Sequence, residues 1–155
     1  MKKIYLLSAL TIFLLASCGG GSTDEGDEST DAPKSMLADE TPADPMENKG
    51  IGPVSSLTVG AEIDAEMASA GQVVYEQMCT ACHKPDKNFI GPAPKGIMER
   101  RSPEWIMNMI LNPEEMIQKD PIARALLIEF NGAPMANQNL TEEQARQVLE
   151  YFRTL

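Results

Sequence analysis

Residues 75–86, YEQMCTACHKPD, decide how the rest of the chain is interpreted. In this stretch Cys79 and Cys82 are separated by two residues, and His83 follows at once. The whole chain has three cysteines and one histidine. Two of the three cysteines and the single histidine therefore lie within five positions. The question is what these three side chains bind.

The pattern C-x-x-C-H is typical of covalent haem c attachment. One helical turn between the cysteines places two thiols near the two vinyl groups of a porphyrin, where each can form a thioether. The histidine that follows then lies under the ring and can bind the iron. The sequence predicts one covalent haem c, with its iron, held by Cys79, Cys82 and His83.

Three other kinds of site could use these residues. A zinc site needs four nitrogen or sulfur ligands, and this stretch offers three, with Cys18 assigned another role below. A thioredoxin-like redox pair usually lies in a β–α unit, and no strand pattern precedes Cys79. A structural disulfide suits an oxidising compartment but gives no role to His83.

Residues 1–17 have the layout of a secretory signal peptide, with two lysines before an apolar run and small residues at its end. The run is too short to span a membrane comfortably. A buried N-terminal helix is the alternative, but the polar residues that follow offer nothing to bury it.

Leu15-Ala16-Ser17-Cys18 resembles the bacterial lipobox, which implies lipid attachment at Cys18. A lipid anchors a protein to a membrane without spanning it. We therefore expect an exported bacterial lipoprotein bound to the membrane through its N-terminus, with Cys18 as an ordinary or disulfide-bonded thiol as the alternative.

The formal net charge of -10 is unevenly distributed. Residues 24–47 hold nine acidic side chains against Lys34, whereas eleven acidic and nine basic side chains follow from Met67 onward. Nucleic-acid binding needs clustered positive charge and is not expected. We interpret residues 18–63 as a lipidated N-terminus and flexible acidic tether, because polar composition without apolar periodicity cannot offset the entropy of ordering. Binding of a basic partner by this segment is the alternative.

Residues 64–155 are predicted to form an all-α domain of about four helices. Helix starts are indicated at Ser69 with Gln72, at Ser102-Pro103, at Asp120-Pro121 and at Thr141 with Gln144. Prolines and glycines between residues 84 and 101 indicate a long loop.

From about residue 67 to residue 155 the chain resembles class I cytochrome c. Beyond the C-x-x-C-H pattern, Gly71 and Tyr75 match the small and aromatic residues of the first helix in that family, and Tyr151 or Phe152 can supply the aromatic partner in the last helix. The resemblance implies the cytochrome c fold, all-helical with long loops around one covalently bound haem.

The resemblance also implies further site residues. The carbonyl of Pro92 should accept a hydrogen bond from His83, and Trp105 should pack on the haem edge or reach a propionate. Met135 lies in a loop before the last helix and is expected to be the sixth iron ligand, although Pro134 precedes it where the family more often has proline after methionine. Met98 or an open iron are the alternatives.

The function expected from this resemblance is single-electron transfer between respiratory partners, without catalysis. The expected partners are redox proteins such as a quinol-cytochrome c reductase, a terminal oxidase or a periplasmic reductase, with the haem domain in the periplasm or on the outer side of the cytoplasmic membrane. One group of charged side chains is either a basic patch that docks to a partner or a set of solvated charges. The group consists of Lys84, Lys87, Lys95, Arg100 and Arg101, offset by Asp86 and Glu99. A five-coordinate haem enzyme or gas sensor, and a fixed subunit of a respiratory complex, are the alternative functions.

Overall fold

The computed structural model describes residues 44–155, which belong to one compact unit. The signal peptide, the lipid attachment site Cys18 and the tether as far as residue 43 lie outside the described residues. Within residues 44–155 there are α-helices and no strands, which confirms the all-α prediction. No helix in this part of the chain has both the length and the apolar character needed to cross a membrane.

Five α-helices follow one another between residues 44 and 155, one more than the sequence predicted. They are α1 (Ala65–Met78), α2 (Pro103–Leu111), α3 (Pro113–Lys119), α4 (Pro121–Glu129) and α5 (Glu142–Phe152). A single 3-10 turn, Ile97–Glu99, interrupts the long loop between α1 and α2.

Three helix starts lie where local chemistry predicted them. The Ser102 hydroxyl accepts from the Trp105 amide at the start of α2, and the Asp120 carboxylate accepts from the Ala123 amide at the start of α4. Thr141 forms a complete capping box with Gln144 at the start of α5. Each cap satisfies amide groups that have no partner within the helix, which is why short sequence signals locate these boundaries.

Two helix predictions were wrong. Helix α1 begins four residues before Ser69, because Asp64 caps it by accepting from the amides of Glu66 and Met67. Helix α3 was not predicted as a separate helix. Pro113 ends α2 and at the same time occupies the first position of α3, where its missing N–H costs nothing.

Helices α1 and α5 cross closely at Gly71. A β-carbon at this position would overlap the backbone carbonyl of Gln147, so only glycine permits the approach. Next to the crossing, the buried ring of Tyr75 packs against Tyr151 and Phe152, with ring centroids 5.3 and 5.8 Å apart. The expected pairing between the first and last helices is present, with both candidate aromatic partners involved.

Residues 48–57, here called the strap, lie against α2 and α3. Val54 is buried and belongs to the same apolar cluster as Trp105 and Ile106. The strap backbone passes so close to α2 that a β-carbon at Gly52 would overlap the side chain of Asn108. The strap is therefore part of the folded domain.

Polar side chains of α2 hold the strap through its backbone. Asn108, which is 1% exposed, accepts from the Val54 amide and donates to the carbonyls of Lys49 and Val54, at 2.8 to 2.9 Å. Glu104 accepts from the Leu57 amide. The assignment of residues 48–57 to a flexible tether is thus corrected, since their backbone groups are satisfied by buried side chains far away in the sequence.

A buried carboxylate joins the end of this N-terminal segment to α5. Glu150 is fully buried, accepts from the Asp64 amide at 2.9 Å, and forms ion pairs with Arg146 and Arg153. Arg153 also donates to the carbonyl of Gly60. Burial acts to raise the pKa of the Glu150 carboxyl, but the Asp64 amide and the two guanidinium groups outweigh it and hold that pKa below its ordinary value.

We expect Glu150→Gln to lower the free energy of unfolding at neutral pH by about 3 kcal/mol, because it leaves two arginines beside a neutral group. Since the pKa of Glu150 is lower in the folded state, its contribution is fully present above about pH 4.3 and is lost as the pH falls through the folded value. Denaturant unfolding of the protein between neutral pH and pH 3 measures both effects.

The matched control is Glu142→Gln, which changes an exposed carboxylate on the same helix. As the pH falls, the free energy of unfolding of Glu150→Gln should decrease less steeply than that of the wild type and of this control. Equal slopes on the acid side in all three proteins would contradict the role assigned to Glu150.

Candidate functional site

A large cleft opens between the α1–α2 loop, helices α2 and α4, and the loop before α5. It contains about 1340 Å³ of space free of protein atoms, counting the part open to solvent, and its walls are mainly apolar. Its apolar walls suit a large hydrophobic ligand such as a planar ring. The residues that bear on its chemistry are Cys79, Cys82, His83, Arg101, Trp105, Met109 and Met135.

The end of α1 positions the C-x-x-C-H turn at this cleft. Cys79 is the C-cap of α1, and the His83 amide donates to the Cys79 carbonyl at 2.9 Å, which continues the turn. The Tyr75 hydroxyl donates to the His83 carbonyl at 3.0 Å. Burial, followed by the neighbouring Cys79 and Tyr151, raises the pKa of Tyr75 to about 12, so the phenol remains a donor throughout the physiological range.

The imidazole of His83 is fixed by the loop that follows it. Its Nδ1 donates to the Pro92 carbonyl at 2.8 Å, which is the bond that the resemblance implies. This bond leaves Nε2 as the ring nitrogen available to a metal and sets the orientation of the ring. A β-carbon at Gly91 would overlap the imidazole, so the loop can close over His83 only with glycine there.

Cys79 and Cys82 do not form a disulfide with each other. Burial, with a smaller effect of Cys82, raises the pKa of Cys79 to about 11. A reactive redox cysteine requires the opposite shift, toward the thiolate, so the redox-pair alternative is disfavoured. Among the described residues no group of three or more His, Cys, Asp or Glu side chains could hold a metal ion, which gives a zinc site no support.

Met135 lies in the wall of the same cleft as His83, although 52 positions separate them in the sequence. Its loop follows the sharp end of α4, where Asn131 and Gly132 take positive φ angles of 58° and 74°. The alternative ligand Met98 is not among the lining residues, whereas Met109 of α2 does line the cleft.

Trp105 is 2% exposed and lines the cleft from the first turn of α2. Its indole N–H donates to the Asp120 carboxylate at 3.1 Å. The N–H is therefore engaged within the protein, which favours packing on the haem edge over contact with a propionate. Packing against the edge of a bound ring remains compatible with the position of the indole.

Arg101 is a residue of the site that the sequence identified only as one charge of a basic patch. Its guanidinium stacks over the Trp105 ring, 5.4 Å from the centroid, and lines the cleft. Burial, followed by the charge of Arg100, lowers the pKa of Arg101, while Asp120 and Glu129 act in the opposite direction. A half-buried cation in a cleft wall is suited to an anionic ligand group.

Sequence reasoning missed two polar groups of the site, the Tyr75 hydroxyl and the Asp120 carboxylate. The sequence indicated that Tyr75 is an aromatic packing residue and that Asp120 is a helix cap, and both residues have these roles in the structure. Their second contacts, to the His83 carbonyl and to the Trp105 indole, depend on tertiary packing and have no local signal.

The residues of the cleft fit a haem c. Two thiols stand one helical turn apart, the adjacent imidazole is held through Nδ1, and the surrounding walls are apolar. Cys79 and Cys82 would hold the macrocycle through thioethers, and His83 would bind its iron. The cavity opposite the turn is the space that the ring would fill.

Comparison with known proteins agrees with this geometry. The family model described as cytochrome c matches residues 68–155. Cytochrome c2 from Rhodopseudomonas palustris is 43% identical over 47 residues, which are 30% of this chain and 32% of that protein. The alignment thus spans about a third of this curated relative.

Solved structures are similar over a longer stretch. Cytochrome c from Rhodothermus marinus is 46% identical, with a TM-score of 0.64 over 66% of this chain and 88% of that one. An engineered form of that protein, bound to a carbene intermediate, is 45% identical with a TM-score of 0.61, over 66% of this chain and 88% of its own. The family match covers more than half of the chain and includes every haem-site residue named above, and the chain therefore belongs to the cytochrome c family, whose members bind haem c covalently.

Proposed function

We propose that this protein transfers single electrons between respiratory partners and is anchored to a membrane through a lipid on Cys18. The observation that carries the electron-transfer part is the placement of His83 and Met135 in the walls of one cleft. The bound haem supplies a one-electron couple whose potential depends on the axial ligands and on burial.

The residues of the chain have separate tasks in this function. The imidazole of His83, oriented by Pro92, provides a nitrogen ligand, and the thioether of Met135 provides the sulfur ligand. With both His83 and Met135 as ligands, the bound group would need little rearrangement of the protein when an electron arrives or leaves. The apolar walls exclude water, which favours the less charged oxidation state and raises the potential.

A protein partner is proposed to approach at the side of the C-x-x-C-H turn. Cys82 is exposed, as are Phe89 at 55% and Ile90 at 46%, and Lys84 lies over the Phe89 ring. Apolar groups with cationic neighbours suit a weak, salt-sensitive encounter with an acidic face of a reductase or oxidase.

Support for the membrane anchor comes from the N-terminal sequence. Residues 1–17 have the order of charged, apolar and small residues of a signal peptide, and the lipobox-like Leu15-Ala16-Ser17-Cys18 lies at its end. A lipid at Cys18 would keep the haem domain near membrane partners, in the periplasm or on the outer side of the cytoplasmic membrane. Transfer would then depend on local rather than bulk concentration.

We expect Met135→Ala to remove the sulfur ligand, to abolish the weak long-wavelength band that sulfur ligation gives the oxidised protein, and to lower the reduction potential. The visible spectrum and a redox titration measure both. Met98→Ala, which changes a half-buried methionine outside the cleft, is the control and should leave the band unchanged.

An unchanged band in Met135→Ala would contradict the ligand assignment, and Met109→Leu would then test another methionine of the cleft. A wild-type protein without the band and with high-spin features would instead favour the five-coordinate enzyme or sensor.

We expect Cys18→Ser to release the haem protein from the membrane fraction, because the lipid can no longer be attached. Cell fractionation with detection of the haem measures this, and Ser22→Ala is the control just after the lipobox. Full retention of Cys18→Ser would exclude a lipid anchor. If Cys18→Ser stays in the membrane fraction until detergent dissolves a respiratory complex, the protein is better described as a fixed subunit of that complex.

A further inference from the structure

Asp120 is a buried carboxylate one side chain behind the wall of the haem cleft. It is 2% exposed and lies between α3 and α4. Its Oδ1 accepts from the Trp105 indole at 3.1 Å and from the Ala123 amide at 2.8 Å, and both of these residues line the cleft. The carboxylate thus contacts two parts of the wall directly.

The strap supplies the remaining contact of this carboxylate. Asn48, the first residue of the strap, donates through Nδ2 to Asp120 Oδ2 at 2.6 Å. Asn48 is itself fixed, because its carbonyl accepts from the Ser102 hydroxyl at 2.5 Å and its Oδ1 accepts from the Gly50 amide at 2.8 Å. The position of Asp120 is therefore determined from both sides, by the strap and by α2.

All the hydrogen-bond donors to Asp120 are neutral. Within residues 44–155 no ion pair includes Asp120. The cation that faces it from a neighbouring element is Arg101, which interacts with it at longer range and lines the cleft itself. Neutral donors stabilise a carboxylate without cancelling its charge, so its field extends to the cleft with little screening by water, opposed there by the charge of Arg101.

We propose that Asp120, held by the strap through Asn48, is a positioning and charge-setting residue that lowers the reduction potential of the haem. A fixed negative charge favours the oxidised state of the iron, which carries one more positive charge than the reduced state. Through its hydrogen bond, the same carboxylate also fixes the Trp105 indole in the cleft wall. This inference rests on the haem site and deepens the proposed electron-transfer function, but it needs neither the lipid nor a particular sixth ligand.

The first test is Asp120→Asn, which removes the charge but keeps an oxygen that can accept from Trp105 and Ala123. We expect the equilibrium between the two oxidation states to shift about tenfold toward the reduced one, a rise of about 59 mV for a one-electron couple. Asp120→Glu restores the charge and should return the potential most of the way to the wild-type value, whatever it costs in stability.

A second variant keeps Asp120 and so guards against loss of folding. Asn48→Lys places a cation beside the carboxylate from the strap, and it should raise the potential in the same direction as Asp120→Asn. The matched control is Thr58→Lys, an exposed position just beyond the strap. It adds the same charge to the protein and should leave the potential near the wild-type value.

Redox titration and the visible spectrum are recorded on the same samples, together with the unfolding midpoint. A raised potential in Asp120→Asn and Asn48→Lys, with the haem spectrum unchanged, supports the proposal. Potentials that equal the wild type in both variants, with only the unfolding midpoint lowered, would show a purely structural role and overturn it. If the wild-type protein shows no sulfur ligation, the assignment of Met135 as a ligand is wrong. The comparison of potentials between the variants remains valid in that case.

Discussion

The structure depends on the crossing of α1 and α5 at Gly71, where no side chain larger than hydrogen fits against the Gln147 carbonyl. This close approach brings Tyr75 into contact with the aromatic residues of α5. It also directs the Tyr75 hydroxyl to the His83 carbonyl. The position of His83 is therefore fixed by the packing of α1 against α5. A shift of either helix would move the C-x-x-C-H turn relative to the opposite wall, because that turn continues directly from the end of α1.

The sequence predicted those parts of the structure whose causes are local. Ser102, Asp120 and Thr141 each cap the helix that follows with their own side chain, so their signals are complete within four residues. At the start of α1, the signal at Ser69 did not mark the cap. Asp64 is the actual cap, because it begins the helix at the point where its own amide is bound by Glu150, a partner 86 positions away.

The strap was missed for a related reason. Its composition is typical of a disordered segment, with glycines, a proline and few large apolar residues. Its order comes from backbone groups that are bound by Asn108 and Glu104, and a hydrogen bond to a distant side chain leaves no periodic pattern in the sequence. The cleft residues divide in the same way. Cys79, Cys82 and His83 form a contiguous motif, whereas the contact between Trp105 and Asp120 exists only after α2 and α3 have packed.

Burial of the polar residues of α2 explains why the strap must stay in place. Asn108 has no access to water, and its donors and acceptor are satisfied by the strap backbone alone. If the strap detached without replacement by water, the buried amide would lose all these bonds, at about 1–3 kcal/mol for each unsatisfied group. That penalty opposes the backbone entropy of ordering the segment, and Val54 adds apolar burial. The strap and α2 therefore form a cooperative unit, and the same unit holds Trp105 and Asp120 at the cleft. Since the chain that leads to Cys18 joins the domain at Asn48, any anchored segment is connected to the haem domain at the wall of its cofactor site rather than at a free end.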